Sequence, residues 1–440
     1  MAASVFSSAL YGQLFPTGEV GRLWSDSAEV RAMLLVEGAL AKVQGAQGVI
    51  PKISADFIHR SSLEVQIDPA GLALETGQNG VSVPALVTAF RAAMEAPEHA
   101  QYAHWGPTSQ DIIDTGLMLR LRQTLAAQEA RARYLLSGLA EQARTHAETP
   151  MAARTYAQHA TPTSWGAVLA QWGQPVANAV ANLPDLRNKT LWVSLSGASG
   201  TSSALGPKAP ATRAALADAL KLGDPGRSWH TDRGPVLRIA DWMGDLVTSL
   251  AGMGLSLVGL TSSDVGAIRL DAAGSSSTMP QKQNPVGPSV LVALNHQMAG
   301  LRATLQSAAA HQYQRDGAAW FTEWMVLPQI ALCTAAALET AIALAKAMAP
   351  DTEAMAADFD GLGLLHAEAL SFALAALMPR PDAQTRTKAL VAEAVQSNTS
   401  LADTARNAYP DLPPGLFQTA QHLGQAPAQA RAFANRVDVL

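Results

Sequence analysis

Three short stretches of the chain combine hydroxyl, amide and cationic side chains at spacings that suit chemistry on an anion. They are residues 104–115, 154–163 and 271–285, and each lies next to a segment with helical apolar spacing. Donors that are fixed before a reaction stabilise negative charge as it develops in the transition state. The three stretches therefore predict a site for an anionic substrate.

The stretch 271–285 predicts a lid. Its run of small residues leaves the backbone free to move, and a Met-Pro pair then ends that freedom. A closing lid would bring the hydroxyls of Ser276 and Ser277 to the substrate, with Lys282 and Asn284 following as a cation and an amide. The alternative is a Gly/Ser linker, but a linker does not need the Met-Pro-x-Lys-x-Asn sequence.

The other two stretches each leave an alternative open. Thr108, Ser109 and Asp111 stand at the start of an expected long helix, where free backbone amides and two hydroxyls suit a carboxylate. A capping box with Asp111 at the third helical position explains the same pattern. In 154–163, His159 is flanked by hydroxyls just before another helix. A single histidine in such a place is more often structural than catalytic.

Long helices are the elements that must position these stretches. Apolar residues recur at helical spacing from Ile112, which predicts a helix to about Ala147, after an earlier amphipathic helix over 26–42. Further long helices are predicted at about 162–186, 234–264, 285–309 and 321–348. Strand signals are confined to short pieces such as 191–195. The chain is therefore predicted to be all-α.

One apolar run, 246–263, contains no charged side chain and is long enough to raise the question of a membrane span. Its glycines, serines and threonines lower its hydrophobicity, and similar charge-poor runs occur at 285–300 and 324–338. Helices that are apolar on nearly all sides belong in the centre of a bundle. Burying several of them takes more helices than one chain supplies, which predicts a homo-oligomer and no membrane.

Composition narrows the class of protein. The chain has 440 residues, of which 48% are hydrophobic and 15% charged, so it is globular and has room for two or three domains. The net charge of −5 and the lack of a Lys/Arg run argue against a nucleic-acid partner. The start of the chain lacks the pattern of a signal peptide, so we expect a cytoplasmic protein.

The sequence gives no sign of a cofactor. Cys333 is the only cysteine, which excludes a disulfide within the chain and a Cys-based metal site. The sequence also lacks a His-x-x-x-His pair and a phosphate-binding loop. We therefore expect activity without a metal, a nucleotide or any other cofactor.

Taken together, the three stretches resemble the fumarase/aspartase superfamily, and the resemblance spans most of the chain. The segment 274–284 is similar to the Gly-Ser-Ser-x-Met-Pro-x-Lys-x-Asn signature, with Ser275 where the superfamily has glycine. Residues 104–111 match the first conserved region and 154–163 the second. Within the superfamily, the likeness is to the bacterial cycloisomerases that act on 3-carboxy-cis,cis-muconate in the β-ketoadipate pathway.

Two departures from the lyases of the superfamily favour the cycloisomerases. This chain has Tyr156 where the lyases carry a catalytic histidine, and Ser289 where they carry a glutamate beyond the lid asparagine. The cycloisomerases also lack that histidine. The alternatives are a C–N or C–O lyase that releases fumarate, a cycloisomerase for a 3-sulfo analogue, and a structural role like that of lens crystallins.

The resemblance implies a set of site residues and an architecture. The catalytic residues are expected to be Ser276, Lys282 and His159. The substrate, a small tricarboxylate, is expected to contact His104, Thr108, Ser109, Arg154, Thr155, Ser277, Asn284 and Arg315. We expect three domains, at 1–111, 112–350 and 351–440. The central bundles should merge in a homotetramer whose active sites combine the three stretches from different subunits.

Overall fold

The structure, a computed structural model, describes residues 4–271, 274–275, 279, 282–359 and 361–440. Ser276 and Ser277 therefore lie outside the described residues, as do residues 272, 273, 278, 280 and 281 of the predicted lid. Within the described residues the chain is mainly α-helical, which confirms the predicted class.

The helices range from one turn to ten turns. In chain order they are α1 (Val20–Leu23), α2 (Asp26–Ala46), α3 (Lys52–Glu64), α4 (Ala73–Asn79), α5 (Val83–Ala93), α6 (Pro97–Ala100), α7 (Ser109–Thr145), α8 (Trp165–Thr190), α9 (Ala209–Leu220), α10 (Gly234–Leu260), α11 (Val286–Ala308), α12 (Gly317–Ala347), α13 (Thr352–Ala357), α14 (Ala367–Ala375), α15 (Arg380–Ser397), α16 (Leu401–Ala408) and α17 (Ala426–Asp438). The five long helices predicted from periodicity are α7, α8, α10, α11 and α12, and their ends agree to within four residues.

Local chemistry explains how the early helices begin and pack. Ser25 caps α2, because its side chain accepts a hydrogen bond from the backbone amide of Ala28 at 3.3 Å. Gly38 lets α2 approach α3 closely, since a Cβ atom there would lie 1.8 Å from the hydroxyl of Ser62. The apolar faces of α2, α3 and α5 then meet in a core that contains Ile58 and Phe90, both fully buried.

The strands correct one part of the prediction. Trp192, in the piece expected to be extended, forms only an isolated bridge with Gly223. The described strands form antiparallel pairs of β1 (Pro150–Thr155) with β2 (Gln158–Ser164), β3 (Ile268–Leu270) with β6 (Met348–Pro350), and β4 (Gly274–Ser275) with β5 (Gln283–Asn284). The second stretch, 154–163, thus forms most of a hairpin, and this hairpin leads directly into α8 as the sequence predicts.

The chain divides into two compact units. The first comprises Met1–Arg131, Ala181–Thr248 and Ala293–Glu339, and the second comprises Ala132–Val180, Ser249–Val292 and Thr340–Leu440. Within the second unit, a separate core joins α14, α15 and α16 through the buried Leu370, Leu390 and Leu401. The three domains predicted from the sequence stay a prediction.

Two helices, α10 and α12, are long and apolar enough to span a membrane by length and composition alone. Their most apolar windows are 56% and 72% buried inside the described structure. A core helix passes the same test, and burial of this extent favours a core position for both helices.

Candidate active site

Arg315 lies beside the start of α7 in the first unit. Its Nη2 donates to the hydroxyl of Thr108 at 3.4 Å and to the carbonyl of Ala198 at 3.2 Å, and its Nε donates to Oε1 of Gln110 at 2.8 Å. Asp316 caps α12 and fixes the adjoining backbone, because its carboxylate accepts from the amides of Ala319 and Gln312. A cation, a hydroxyl and a helix N-terminus therefore meet at one place, which suits a carboxylate.

Asp111 ties this region to two other segments of the first unit. Its carboxylate is fully buried and accepts hydrogen bonds at 2.9 Å from the amide of Thr108, the hydroxyl of Ser194, the amides of Ser196 and Gly197, and Nε2 of His230. Burial by itself raises the pKa of Asp111, but the hydrogen bond and charge of His230 and the backbone donors outweigh it, so the pKa is lowered. The contact with Thr108 is the one expected of a capping box.

His104 lies on a loop before α7 and points to an acidic partner. Its Nδ1 and Oε1 of the buried Glu37 are 2.6 Å apart. Burial lowers the pKa of His104, but the hydrogen bond and the charge of Glu37 outweigh it, so the pKa is raised. The loop needs glycine at Gly106, where φ is +96° and a Cβ atom would lie 2.5 Å from the side chain of Leu205.

A buried ion-pair network underlies this part of the first unit. Arg233 donates to both carboxylate oxygens of Asp114, at 2.8 and 3.1 Å, and to both of Glu323, at 2.9 and 2.6 Å. Burial lowers the pKa of Arg233, yet the two carboxylates outweigh it and raise the pKa. Burial raises the pKa of Glu323 against the opposing charge of Arg233. The network joins α7, α12 and the segment before α10.

In the second unit, Arg154 and His159 converge on one carboxylate. Nη2 of Arg154 lies 3.0 Å from Oδ2 of Asp358 and 3.0 Å from Nε2 of His159, which in turn lies 3.5 Å from Oδ1 of Asp358. A cavity of about 600 Å³ adjoins them and is also lined by Thr161 and Glu368. The basic side chains of the hairpin are thus already paired with an acid of the same chain.

The turn of that hairpin exposes Tyr156. Thr155 and Gln158 pair across β1 and β2, so Tyr156 and Ala157 form a two-residue connection, with φ values of +52° and +61°. The side chain of Tyr156 is fully exposed in the single chain, and that of Thr155 is also exposed. A large aromatic side chain at the tip of a hairpin is available to a partner or a ligand.

The described part of the predicted lid is the β4–β5 ladder in the second unit. Gly274 pairs with Asn284, and the Lys282 amide donates to the Met279 carbonyl at 3.0 Å. The side chain of Lys282 is exposed and that of Asn284 is half-buried. Within the described part of the chain, the Lys282 ammonium has no ion-pair or hydrogen-bond partner.

Comparisons with known proteins identify the family of the chain. A family model described as lyase matches residues 17–300. The 3-carboxy-cis,cis-muconate cycloisomerase of Pseudomonas aeruginosa is 34% identical over 97% of this chain and 96% of its own length. The crystal structure of 3-carboxy-cis,cis-muconate lactonizing enzyme from Pseudomonas putida matches with a TM-score of 0.91 at 31% identity, covering 98% of this chain and 99% of that chain. The chain belongs to the fumarase/aspartase superfamily.

The relatives named as cycloisomerases identify the chain as an enzyme, and they confirm the resemblance predicted from the three stretches. A more distant relative is the N-acetyl-S-(2-succino)cysteine lyase of Dickeya dadantii, which is 28% identical over 87% of this chain and 85% of its own length. The superfamily thus includes relatives named as cycloisomerases and relatives named as lyases.

The two units divide the predicted site residues of this superfamily member. The first unit brings together Thr108, Ser109 and Arg315 and holds His104 on Glu37. The second unit brings together Arg154 and His159 and also contains Thr155, Lys282 and Asn284. Their roles stay predictions. Among the described residues, no group of three or more His, Cys, Asp or Glu side chains could hold a metal ion.

Sequence reasoning missed four side chains that hold the predicted ones in place. They are Glu37, Gln110, His230 and Asp358, whose contacts are given above. Gln110 stands inside the first conserved stretch, so its position was a signal. His230 and Asp358 are far in sequence from the residues they contact, and only the fold brings them together.

Proposed function

We propose that the chain is a cofactor-independent cycloisomerase that converts 3-carboxy-cis,cis-muconate to 4-carboxymuconolactone. The observation that carries this proposal is the match, over nearly the whole of both chains, to a cycloisomerase of that name at 34% identity. Tyr156 supports it, because this position is a histidine in the lyases and the cycloisomerases lack that histidine.

The proposed reaction rearranges the substrate's own carbon and oxygen atoms and takes up one proton from the protein, which the solvent then replaces. One oxygen of a substrate carboxylate forms a C–O bond to one carbon of a C=C bond, and the π electrons pass to the conjugated carboxyl as an aci-carboxylate. A proton then adds to the carbon beside that carboxyl. The intermediate carries two negative oxygens on one carbon, so it needs a cation and fixed donors more than it needs a cofactor.

The residues of the chain divide these tasks in the proposal. Lys282 and Asn284 stabilise the aci-carboxylate, and Arg315 with Thr108 and Ser109 holds a carboxylate that stays ionised throughout. The meeting of a guanidinium, a hydroxyl and the first turn of α7 supports the second role. Arg154 is the further cation available for a substrate with three carboxylates. The proton comes from Ser276, His159 or Tyr156.

An ultraviolet assay of purified protein with 3-carboxy-cis,cis-muconate tests the function directly. We expect loss of the diene absorbance, formation of the lactone, and the same rate after chelation and dialysis. Adenylosuccinate and argininosuccinate should not be converted. Conversion of 3-sulfomuconate would show whether the site also accepts a sulfonate in place of the 3-carboxylate. Turnover of a succinyl substrate with none of the muconate would instead support a fumarate-releasing lyase; the relative from Dickeya dadantii is named as a lyase.

We also propose that the enzyme works as a cytoplasmic homotetramer. Large apolar side chains stand exposed on long helices of the single chain, among them Leu255 at 62%, Met325 at 67% and Phe321 at 41%. Exposed apolar surface on core helices indicates that another subunit covers it. Light scattering should give a mass about four times that of the chain, and an active monomer would refute the proposal.

A further inference from the structure

The guanidinium of Arg315 is held by the buried side chain of Gln110. Its Nε donates to Oε1 of Gln110 at 2.8 Å, whereas its contacts with Thr108 and Ala198 are longer, at 3.4 and 3.2 Å. Arg315 is exposed, but Gln110 is completely buried. The shortest contact of Arg315 is therefore made to Gln110, whose buried side chain has little room to move.

The orientation of the Gln110 amide is fixed by its other contacts. Its Nε2 donates to the backbone carbonyl of His230 at 2.9 Å and to Oδ2 of Asp114 at 3.2 Å. Both partners are acceptors, so the NH₂ group must face them and the oxygen must face Arg315. Rotation of this amide by a half-turn would set an oxygen against two acceptors.

The acceptor Asp114 is itself immobilised. Both of its oxygens accept from Arg233, which also binds both oxygens of Glu323, and all three side chains are buried. A continuous series of contacts therefore runs from Glu323 through Arg233, Asp114 and Gln110 to Arg315. Only the last member of the series is exposed.

We propose that Gln110 is a positioning residue that orients Arg315 for the substrate carboxylate. The inference rests on the proposed function for its kinetic readout. An arginine side chain has several rotatable bonds, and ordering such a side chain on binding costs about 0.5–1.5 kcal/mol. The contact with Gln110 orders Arg315 before the substrate arrives. Loss of that contact should therefore raise KM by roughly three- to tenfold and leave kcat within about twofold.

A double-mutant cycle with Gln110→Met and Arg315→Met separates positioning from a general structural effect. If Gln110 acts through Arg315, Gln110→Met raises KM in the wild type and has no further effect on KM in Arg315→Met. Equal effects on KM in both backgrounds would overturn the proposal. Gln110→Asn, whose amide is one methylene shorter, gives the same test should the methionine variant fail to fold.

Gln128 is the matched control for burial. It is a fully buried glutamine on the same helix, and its Nε2 donates to the carbonyl of Ala331 at 3.1 Å. Gln128→Met should lower the melting temperature as Gln110→Met does but leave KM unchanged. An equal rise of KM in Gln128→Met would show that loss of any buried amide in α7 is enough, which would also overturn the proposal.

Crystal structures of the wild type and of Gln110→Met or Gln110→Asn test the inference without any substrate. We expect the guanidinium of Arg315 to leave its place beside Thr108, or to lose its electron density, in the variant. An unchanged Arg315 would refute the positioning role even if the enzyme proves to be a cycloisomerase. A displaced Arg315 in a protein that does not convert the muconate would support the positioning role and refute the proposed function.

Discussion

His230 donates from Nε2 to the carboxylate of Asp111 at 2.9 Å, and both side chains are buried. The same carboxylate holds the start of α7 and the segment around Ser196, which lie 85 positions apart in the sequence. Asp111 is thus the residue through which three segments of the first unit are joined.

Asp111→Asn should destabilise the protein by about 3–5 kcal/mol, because removing one charge of a buried pair leaves its partners unmatched. The amide of asparagine also sets a donor against one of the donors that Asp111 now accepts. Chemical denaturation monitored by circular dichroism measures the difference. Asp218→Asn, on the exposed face of α9, is the control and should change the free energy of unfolding by less than about 0.5 kcal/mol.

The lowered pKa of Asp111 gives this difference a pH dependence. A carboxylate whose pKa is depressed from 3.8 in the folded state contributes stability that is fully present above the unfolded value. That contribution is lost as pH falls through the folded pKa, below 3.8. The stability gap between wild type and Asp111→Asn should therefore be constant near neutral pH and shrink below 3.8. A gap that widens with acid would contradict the sign of the shift.

Lys282→Met should lower kcat by about 10²–10³-fold and leave the fold intact, because it removes one positioned charge from the aci-carboxylate. The intermediate carries more charge on one carboxyl than the ground state does, so the loss falls mainly on turnover. Steady-state kinetics with 3-carboxy-cis,cis-muconate measures it. Lys388→Met, at an exposed position of α15, is the control, and an unchanged kcat for Lys282→Met would remove this lysine from the mechanism.

Arg315→Met should instead raise KM with little change in kcat, since its carboxylate is ionised in both the ground state and the transition state. The same kinetic assay separates the two effects. Arg22→Met changes an exposed arginine of the first unit and should alter neither constant. A fall in kcat with unchanged KM would mean that Arg315 binds the carboxyl that becomes the aci-carboxylate, and not a carboxylate that stays ionised throughout.

The sequence predicts the long helices well and the contacts between distant residues poorly. Apolar periodicity is local, so α7 and α10 could be placed from their own residues. The β1–β2 hairpin was missed because its turn, Tyr156 and Ala157, carries none of the glycine or asparagine typical of two-residue turns. The contact between Arg154 and Asp358 spans 204 positions, so no local pattern in the sequence predicts it.

We predict that each active site combines residues of the three stretches from different subunits, and an exchange of subunits tests this prediction. Two inactive variants, one in His159 and one in Lys282, should then partly restore activity after their subunits are exchanged. In some mixed tetramers one site receives both intact residues, whereas neither parent has such a site. Activity is measured before and after mild denaturation and refolding of the mixture. No recovery, with exchange verified by native mass spectrometry, would argue for sites within one subunit.

The proposed reaction needs a proton donor, and the candidates are Ser276, His159 and Tyr156. The kinetics of variants can distinguish among the three. Ser276→Ala should lower kcat by about 10²-fold or more if the lid hydroxyl is the donor. His159→Gln should likewise lower kcat if the imidazole is the donor. Its control is His146→Gln, which changes a histidine of the same unit whose Nδ1 contacts Thr149 instead of Arg154.

If Ser276→Ala keeps a near-normal kcat, the variants His159→Gln and Tyr156→Phe decide between the two remaining candidates. A fall in kcat in His159→Gln with an unchanged kcat in Tyr156→Phe would assign the proton to the histidine. Oδ1 of Asp358 lies 3.5 Å from Nε2 of His159, so Asp358→Asn should also lower kcat if His159 is the donor, because the imidazole loses a partner that holds it in place. A kcat that falls in Tyr156→Phe and is unchanged in His159→Gln and Asp358→Asn would assign the proton to the hairpin tip instead.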